Sequence, residues 1–217
     1  MDYKKEYDEY WSRPDRWGSH SFDKPDLLAD EILSVCPARK ILDVGFGMGL
    51  LVRTLVRRGI DAHGIDIAQR PVDEANKTLP GRFRVGSILN IPFPDNSFDT
   101  VVSTDCLEHI SEADVPKALS ELCRVTKRFV YVRLATTPDR DRRWHLTIRD
   151  RAWWENKFFE AGLRKNPLTQ EILSYENLEK DEWQITLLFE KIPARAFAKF
   201  PPATLQAERN LHMDMLR

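Results

Sequence analysis

The chain has 217 residues, of which 33 are lysine or arginine and 34 are aspartate or glutamate, so its formal net charge is −1. That length suits one domain with a substantial core, and a second full domain is not expected. A chain so close to neutral has no overall field that would draw it to nucleic acid or to an anionic membrane. Any charged ligand would therefore have to be recognised locally.

The chain begins MDYKKEYDEYW, with charges where a secretory signal needs an apolar run. No later stretch approaches the ~18 apolar residues of a membrane span. We therefore expect a cytoplasmic protein that does not enter membranes. Cys36, Cys106 and Cys123 are widely spaced and include no CxxC pair, which predicts buried free thiols rather than disulfides or a zinc site.

Residues 1–24 are expected to form a helical segment ahead of the main domain. Tyr3, Tyr7, Tyr10 and Trp11 recur at helical spacing, which places four aromatic rings on one face of a short helix before Pro14 ends it. Two interpretations stay open for this helix. It packs on the core as a static element, or it forms a lid over an active site.

From residue 25 to residue 191, apolar runs of strand length alternate with segments of helical period, which predicts one α/β domain. The pattern favours a seven-stranded, mostly parallel sheet with helices on both faces. The expected strands are Lys40–Gly45, Asp61–Ile67, Arg82–Ile88, Phe98–Asp105, Arg128–Thr136, Leu163–Thr169 and Trp183–Lys191. The expected helices are Pro25–Cys36, Leu50–Arg58, Pro71–Leu79, Ala113–Val125 and Arg149–Ala161, and Trp153, Trp154 and Phe158 should pack the last of them on the sheet.

Residues 192–217 lie outside this alternating pattern. They contain three prolines and one short helical pattern, Ala203–Leu216. We interpret them as a tail that is disordered, packs as an arm, or makes a contact between subunits of a homo-oligomer.

The most informative motif is ILDVGFGMG, which follows a strand-like run and precedes the helical pattern LLVRTLVRRG. It places Gly45, Gly47 and Gly49 at a strand-to-helix turn, where a ligand can approach the backbone closely. Dinucleotide-binding proteins have a similar loop but prefer GxGxxG. Here the spacing is DxGxGxG, and the acid Asp43 favours a cationic cofactor over an anionic pyrophosphate.

Four segments between Ile41 and Ile110 occur in a recognisable order: ILDVGFGMG, GIDIA, NIPFPDNSFDTVV and CLEHI. Together they resemble the class I S-adenosylmethionine-dependent methyltransferases, in the branch that contains ubiquinone-biosynthesis and small-molecule O-methyltransferases. The resemblance implies a Rossmann-like sheet, S-adenosylmethionine as the cofactor and methyl transfer as the activity.

The same resemblance assigns cofactor contacts by position. The glycine loop would pass the methionine moiety and Asp43 would lie near its ammonium group. Asp66 would bind the ribose hydroxyls, the role of an acid about 20 residues past the glycines, although an Asp there can also cap the next helix. Where the family carries an acid for adenine, this chain has Ser87, a weaker acceptor. The full expected set is Asp43, Gly45, Phe46, Gly47, Gly49, Asp66, Ile67, Ser87, Ile88 and Thr104.

The methyl acceptor should bind at the carboxyl edge of the sheet, near residues that follow the fourth and fifth strands. Methyl transfer to oxygen needs alignment and sometimes a base, but no covalent enzyme intermediate. An imidazole is available in its neutral form near pH 7, so His109 and His145 are candidate bases, with Glu108 beside them. A structural role for either histidine stays open.

Asp105, Glu108, His109 and His145 also resemble the acid-x-x-Glu-His…His metal site of small-RNA 3′-terminal 2′-O-methyltransferases, which makes a divalent ion an alternative. We favour a site without metal, because arginines surround His145 and their charge opposes a cation. The arginine-rich run from residue 140 to residue 151 either binds an anionic group of the substrate or forms a solvated loop with internal ion pairs.

The favoured function is methyl transfer to an oxygen, and less readily a nitrogen, of a small molecule or sugar in glycan or natural-product biosynthesis. Two alternative functions stay open: a metal-assisted RNA-terminal methyltransferase and a non-catalytic protein that binds the cofactor or a partner. The net charge of −1 and the lack of a basic face disfavour RNA. Asp66 and the loop glycines are all present, which disfavours a degenerate enzyme.

Overall fold

The computed structural model describes residues 1–17, 24–168 and 183–192. Seven strands occur in these ranges: β1 Lys40–Val44, β2 Asp61–Asp66, β3 Phe83–Val85, β4 Phe98–Thr104, β5 Thr126–Ala135, β6 Leu163–Lys165 and β7 Gln184–Lys191. They form one sheet in the order β3-β2-β1-β4-β5-β7-β6. The predicted Rossmann-like α/β fold is confirmed.

The first five strands pair in parallel, whereas β7 runs antiparallel to both β5 and β6. The central strand β1 lies between β2 and β4, and the run from Ile41 to Val44 is buried without interruption. Continuous burial is typical of parallel strands, because crossover helices cover both faces of the sheet. This explains why β1 is apolar from Ile41 to Val44 except for Asp43.

The described helices are α1 Tyr3–Ser12, α2 Pro25–Val35, α3 Leu50–Arg57, α4 Gln69–Thr78, α5 Val115–Val125 and α6 Arg151–Glu160, with single 3₁₀ turns at Pro14–Arg16 and Leu107–His109. The core consists of two hydrophobic clusters, and neighbouring residues of β1 belong to different ones. Ile41 packs with α2, α3 and α4, and Leu42 packs with α5 and α6. Helices therefore cover both faces, as predicted. Among the helices that the structure describes, none has the length and apolar character needed to cross a membrane.

The aromatic residues of α6 are core residues, as their spacing predicted. Trp154 and Phe158 are fully buried, and the ring of Phe158 stacks on Phe189 of β7 with centroids 4.1 Å apart. Trp153 is only partly buried against the same cluster. The helix begins where the carboxylate of Asp150 accepts the backbone N–H of Trp153, which satisfies one donor of the first turn.

Two predicted strands have three residues each instead of the expected seven. The strand expected over Arg82–Ile88 ends at Val85, because Gly86 packs against Pro92 and the chain turns, with Asn90 N donating to the carbonyl of Ser87. The strand expected from Leu163 ends at Lys165, where Asn166 accepts the N–H of Leu168 and turns the chain.

The predicted starts of three helices also shift by two residues. Helix α4 begins at Gln69 rather than Pro71, α5 at Val115 rather than Ala113, and α6 at Arg151 rather than Arg149. The expected tail helix Ala203–Leu216 and its oligomer contact lie outside the described residues.

Candidate active site

A cavity of about 670 Å³ opens at the carboxyl ends of the parallel strands. It is lined by the segments that follow β1, β2, β3, β4 and β5, and α1 contributes a further wall. The volume falls within the usual range for small-molecule sites. The strand order reverses between β1 and β4, and ligands of open α/β sheets bind in the crevice at such a point.

The glycine loop forms part of the cavity floor. Gly45, Gly47 and Gly49 all have positive φ values, between 54° and 79°, which side chains rarely adopt. A Cβ atom at Gly45 would lie 2.6 Å from the sulfur of Cys106, and one at Gly49 would lie 2.8 Å from the ring of Phe83. These two glycines are required by packing within the protein.

Gly47 is the loop glycine with space next to it, because its nearest neighbour would be Trp11, at 3.5 Å. All the predicted cofactor residues except Gly49 line the cavity. Gly49 instead packs against Phe83 and Ala75. The position of Gly49 thus serves the packing of the loop on β3 and α4, and the cofactor contacts of the other loop glycines stay predictions.

Asp66 joins the loops that follow β1 and β2. One carboxylate oxygen accepts the N–H of Gly47 at 3.1 Å, and the other accepts the N–H of Ala68 at 2.9 Å. Ala68 is the residue before α4, so Asp66 also has the local capping role that the sequence left open. Burial raises the pKa of Asp66 to about 6.

Asp43 is buried next to Asp66, and its Oδ1 atom has no hydrogen-bond partner among the described residues. Burial, and then the charge of Asp66, raise the pKa of Asp43 to about 7. An unpaired buried carboxylate is costly, and a cationic or hydrogen-bond-donating ligand would remove that cost. This environment fits the ammonium and ribose groups of S-adenosylmethionine, which Asp43 and Asp66 would hold.

The segment after β3 lines the far end of the cofactor region through Ser87 and Ile88. The hydroxyl oxygen of Ser87 accepts the N–H of Leu89 at 3.1 Å. Because one acceptor position is already used inside the protein, the hydroxyl is left with its proton and a single further acceptor position. Ser87 is thus placed for an adenine contact but is less available than the family's acid would be.

Helix α1 is attached at both of its ends to segments that line the cavity or adjoin it. The hydroxyl of Tyr3 donates to Asp114 at 2.6 Å and accepts the N–H of Ser111 at 2.9 Å, both after β4. At the other end, the guanidinium of Arg70 donates to the carbonyl of Trp11 at 3.0 Å. These bonds fix α1 against the cavity wall, and both interpretations of the segment, static element and lid, stay predictions.

A third attachment stabilises the start of α4. That helix has no cap from the residue that precedes it, and the carboxylate of Asp8 on α1 accepts the N–H of Gln69 at 3.0 Å instead. Such a bond satisfies a donor that the first helical turn leaves unpaired. Helices α1 and α4 are thus linked by a capping hydrogen bond between distant parts of the chain.

The arginine-rich segment after β5 makes ion pairs with other elements. Arg143 pairs with Glu6 of α1 at 3.0 Å, and Arg149 pairs with Glu112 at 2.6 Å. The segment also contributes an acid, because its Asp141 pairs with Arg16 of the turn after α1 at 3.0 Å. The ion pairs expected within this loop are therefore mainly pairs to α1 and to the segment before α5. The exposed Arg140 lines the cavity.

The two candidate histidines lie side by side, with ring centroids 5.0 Å apart. The Nδ1 atom of His109 is 3.1 Å from the carbonyl of Trp144, and that of His145 is 2.7 Å from the carbonyl of Thr137. A carbonyl only accepts, so each Nδ1 carries a proton, and in the neutral form of each ring the Nε2 atom then has a free lone pair. Burial, and then the charge of His145, lower the pKa of His109 to about 4.

Glu108 is fully buried between these rings and β5. One carboxylate oxygen accepts the N–H of Ala135 at 2.9 Å, and the other has no partner among the described residues. Burial, and then the charge of Asp105, raise the pKa of Glu108 to about 8. Donor atoms of Glu108, His109 and His145 all lie within 4.8 Å of one another.

Asp105 does not join this group. Its carboxylate instead accepts a hydrogen bond from the amide of Gln184 on β7 at 2.7 Å. The four-residue constellation predicted from sequence is therefore a group of three in the structure, because Asp105, with φ of +49°, is turned toward β7.

An aromatic wall faces the histidines, which we define as Tyr7, Tyr10 and Trp144. Their ring centroids are 5.0 to 5.9 Å apart, and Tyr7 meets His109 edge-on at 5.8 Å. The helical aromatic spacing pointed to both tyrosines. Nothing in the sequence marked Trp144, because its place in the wall depends on how the segment after β5 folds back toward α1.

Residues 42–132 match the protein-family model described as methyltransferase domain. The demethylmenaquinone methyltransferase of Tropheryma whipplei (strain Twist) is 33% identical over 105 residues, which are 46% of this chain and 42% of that protein. The phosphoethanolamine N-methyltransferase of Plasmodium falciparum is 36% identical over 77 residues, 33% of this chain and 29% of that protein. The chain thus spans less than half of the length of each of these relatives.

Solved structures show the same fold at lower identity. The magnesium protoporphyrin IX methyltransferase ChlM of Synechocystis, solved with bound S-adenosylhomocysteine, has a TM-score of 0.64 at 16% identity, covering 87% of this chain and 100% of that one. A putative methyltransferase of Haloferax volcanii, solved in complex with the activator Trm112, has a TM-score of 0.64 at 19% identity, covering 87% and 98%.

We expect Asp66→Ala to weaken the binding of S-adenosylhomocysteine by roughly 1.5–3 kcal/mol, the scale of hydrogen bonds to a charged group. Isothermal titration calorimetry measures this loss. Asp73→Ala is the matched control, because Asp73 lies on α4 and pairs with Gln69 there. A thermal melt separates loss of binding from loss of the bonds to Gly47 and Ala68. Unchanged affinity would show that Asp66 does not bind the ribose.

We also expect the amides of residues 3–17 to exchange more slowly when S-adenosylhomocysteine is bound, because a ligand beneath α1 adds contacts that oppose its opening. Hydrogen exchange with mass spectrometry measures the effect. Tyr3→Phe removes the bonds to Asp114 and Ser111 and should speed exchange across α1 in the free protein. Identical exchange with and without the ligand would make α1 a static packing element.

Proposed function

The chain carries a class I S-adenosylmethionine-dependent methyltransferase domain, and we propose that it transfers the methyl group of that cofactor to an oxygen of a small molecule or sugar. The observation that carries the proposal is the pair of imidazoles in the cavity that also holds Asp43 and Asp66, each with its Nδ1 atom bonded to a backbone carbonyl and its Nε2 atom left for a ligand. One wall is thus suited to a cationic cofactor and the other to a hydroxyl nucleophile.

The cofactor supplies a methyl group bound to a sulfonium, which is transferred by in-line displacement. Asp43 and Asp66 would hold its ammonium and ribose ends. One of His109 and His145 would accept the single hydroxyl proton as the oxygen attacks, and the Nδ1–H bonds of both rings to carbonyls fix the tautomer that this role requires. The aromatic wall of Tyr7, Tyr10 and Trp144 would exclude water from the reacting groups.

Oxygen is favoured over nitrogen because two of the three carboxylates near the histidines are hydrogen-bonded within the protein, and only the third, Glu108, has an oxygen without a partner among the described residues. Asp139 accepts the N–H groups of both Trp144 and His145, and Asp105 accepts from Gln184. A cationic amine would find these carboxylates already paired, whereas a neutral hydroxyl needs only an acceptor for its proton. The enclosure of the cavity by α1 and the net charge of −1 support a small acceptor rather than RNA.

A metal-assisted reaction is the second candidate, and the donor group of Glu108, His109 and His145 favours it. Histidine ligands of metals commonly donate the other ring N–H to a carbonyl, as both histidines do here. The arginine argument against a cation is weaker in the structure, because Arg143 and Arg149 are paired with Glu6 and Glu112. Two imidazoles and one carboxylate suit zinc better than magnesium, which prefers oxygen ligands.

We keep the site without metal as the first candidate, because Asp105 is held by Gln184 and contributes no further carboxylate to the group. In this form Glu108 stays beside the histidines as a buried group whose raised pKa keeps it largely protonated near pH 7.

His109→Ala and His145→Ala should each slow methyl transfer by about 10²- to 10⁴-fold, the usual contribution of a general base. S-adenosylhomocysteine affinity should change less than twofold. Transfer from radiolabelled S-adenosylmethionine is measured with a panel of phenols, hexoses and primary amines, and the product is identified by mass spectrometry. His63→Ala is the control, since His63 pairs with Asp61 away from the cavity. Full activity in both variants, or methylation of amines alone, would contradict the proposal.

The two candidates differ in their response to chelators. We expect full activity in excess EDTA, because the proton acceptors are side chains of the protein. Loss of activity that zinc or manganese restores would replace this mechanism with the metal-assisted one. Glu108→Gln then distinguishes a ligand from a bystander, since it keeps an oxygen for Ala135 N but removes the charge that a cation requires.

A further inference from the structure

Helix α1 presents three aromatic residues in line, Tyr3, Tyr7 and Trp11, at a spacing of four residues. Tyr3 and Trp11 attach the two ends of the helix to the rest of the protein. Tyr3 is bonded to Asp114 and Ser111, and the indole of Trp11 covers Gly47. The ring between these anchors belongs to Tyr7, so the helix cannot seat on the cavity without placing that ring inside it.

The ring of Tyr7 packs against two other rings. It lies 5.7 Å from the ring of Trp144 and 5.8 Å, edge-on, from that of His109. Its hydroxyl, in contrast, has no hydrogen-bond partner among the residues that the structure describes. Tyr10 differs, because its hydroxyl interacts with Arg16. Tyr7 is partly buried and lines the cavity, so a hydroxyl without a partner inside the protein is available to a bound ligand.

The neighbouring groups indicate what such a ligand would contact. Tyr7 lines the same cavity as Asp66 and Glu108, and its ring meets that of His109 edge-on, so its hydroxyl shares the cavity with both the cofactor residues and the histidines. On the histidine side, the two Nε2 atoms can only accept hydrogen bonds. Burial raises the pKa of Tyr7 well above its ordinary value, so its hydroxyl keeps a proton and can both donate and accept.

We propose that Tyr7 is a positioning residue whose hydroxyl contacts the groups that meet at the point of methyl transfer. It supplies the donor that the histidines lack, and its oxygen lone pairs face the group that is transferred. Because it is carried by α1, it reaches this position only when the lid is seated. The inference rests on the proposed function and adds a polar role for a helix that would otherwise only cover the site.

The test is Tyr7→Phe, which removes the hydroxyl and keeps the ring contacts with Trp144 and His109. Calorimetry compares two probes: S-adenosylhomocysteine, which has no group at the methyl position, and sinefungin, which carries an amino group there. We expect the variant to lose about three- to tenfold in sinefungin affinity, the effect of one hydrogen bond. Its affinity for S-adenosylhomocysteine should change less than twofold.

Tyr3→Phe is the matched control on the same helix. It loosens an anchor of the lid and should affect both probes equally, leaving the ratio of their affinities unchanged. An unchanged ratio in Tyr7→Phe, or an equal change of the ratio in Tyr3→Phe, would overturn the inference. If the unaltered protein binds sinefungin no better than the Tyr7 variant does, the inference also fails. Absence of S-adenosylhomocysteine binding by the unaltered protein would instead contradict the proposed function itself.

Discussion

The carboxylate of Asp66 is the interaction on which the rest of the site depends. It accepts N–H groups from Gly47 and Ala68, so the loops after β1 and β2 are held by a single side chain. These bonds partly offset the cost of burying a carboxylate, a cost that shows in its raised pKa. Asp43 beside it has no such compensation at one of its oxygens. The floor of the cavity thus carries negative groups that a cationic ligand would stabilise.

Helix α1 is attached to several segments of the cavity wall. Asp8 caps α4 immediately after the Asp66 loop, Tyr3 is bonded beyond β4, and Glu6 pairs with Arg143 beyond β5. Exposed pairs of this kind contribute little individually, but they attach one short helix to three separate segments of the cavity wall. A ligand that orders any of these segments would also favour the observed position of α1.

The acceptor side is built from groups whose charge is suppressed by burial. His109 is neutral because burial lowers its pKa, and Glu108 is largely protonated near neutral pH because burial raises its own. Both histidine tautomers are fixed by backbone carbonyls, at Trp144 and Thr137. The same arrangement serves a proton acceptor and a ligand of a soft divalent ion, which is why the two candidate mechanisms share their residues.

The sequence by itself determined the succession of strands and helices along the chain, the glycine turn and the candidate cofactor acids, because hydrophobic period and glycine spacing are local properties. It also placed the aromatic stripe of α1 on one face. Only the tertiary structure decided that Gly49 packs against Phe83, that Asp105 turns to Gln184, and that Trp144 completes the aromatic wall. Each of these depends on a partner far away in the chain. A local pattern fixes which face a residue occupies, but the partner that it meets there is set by how distant segments pack.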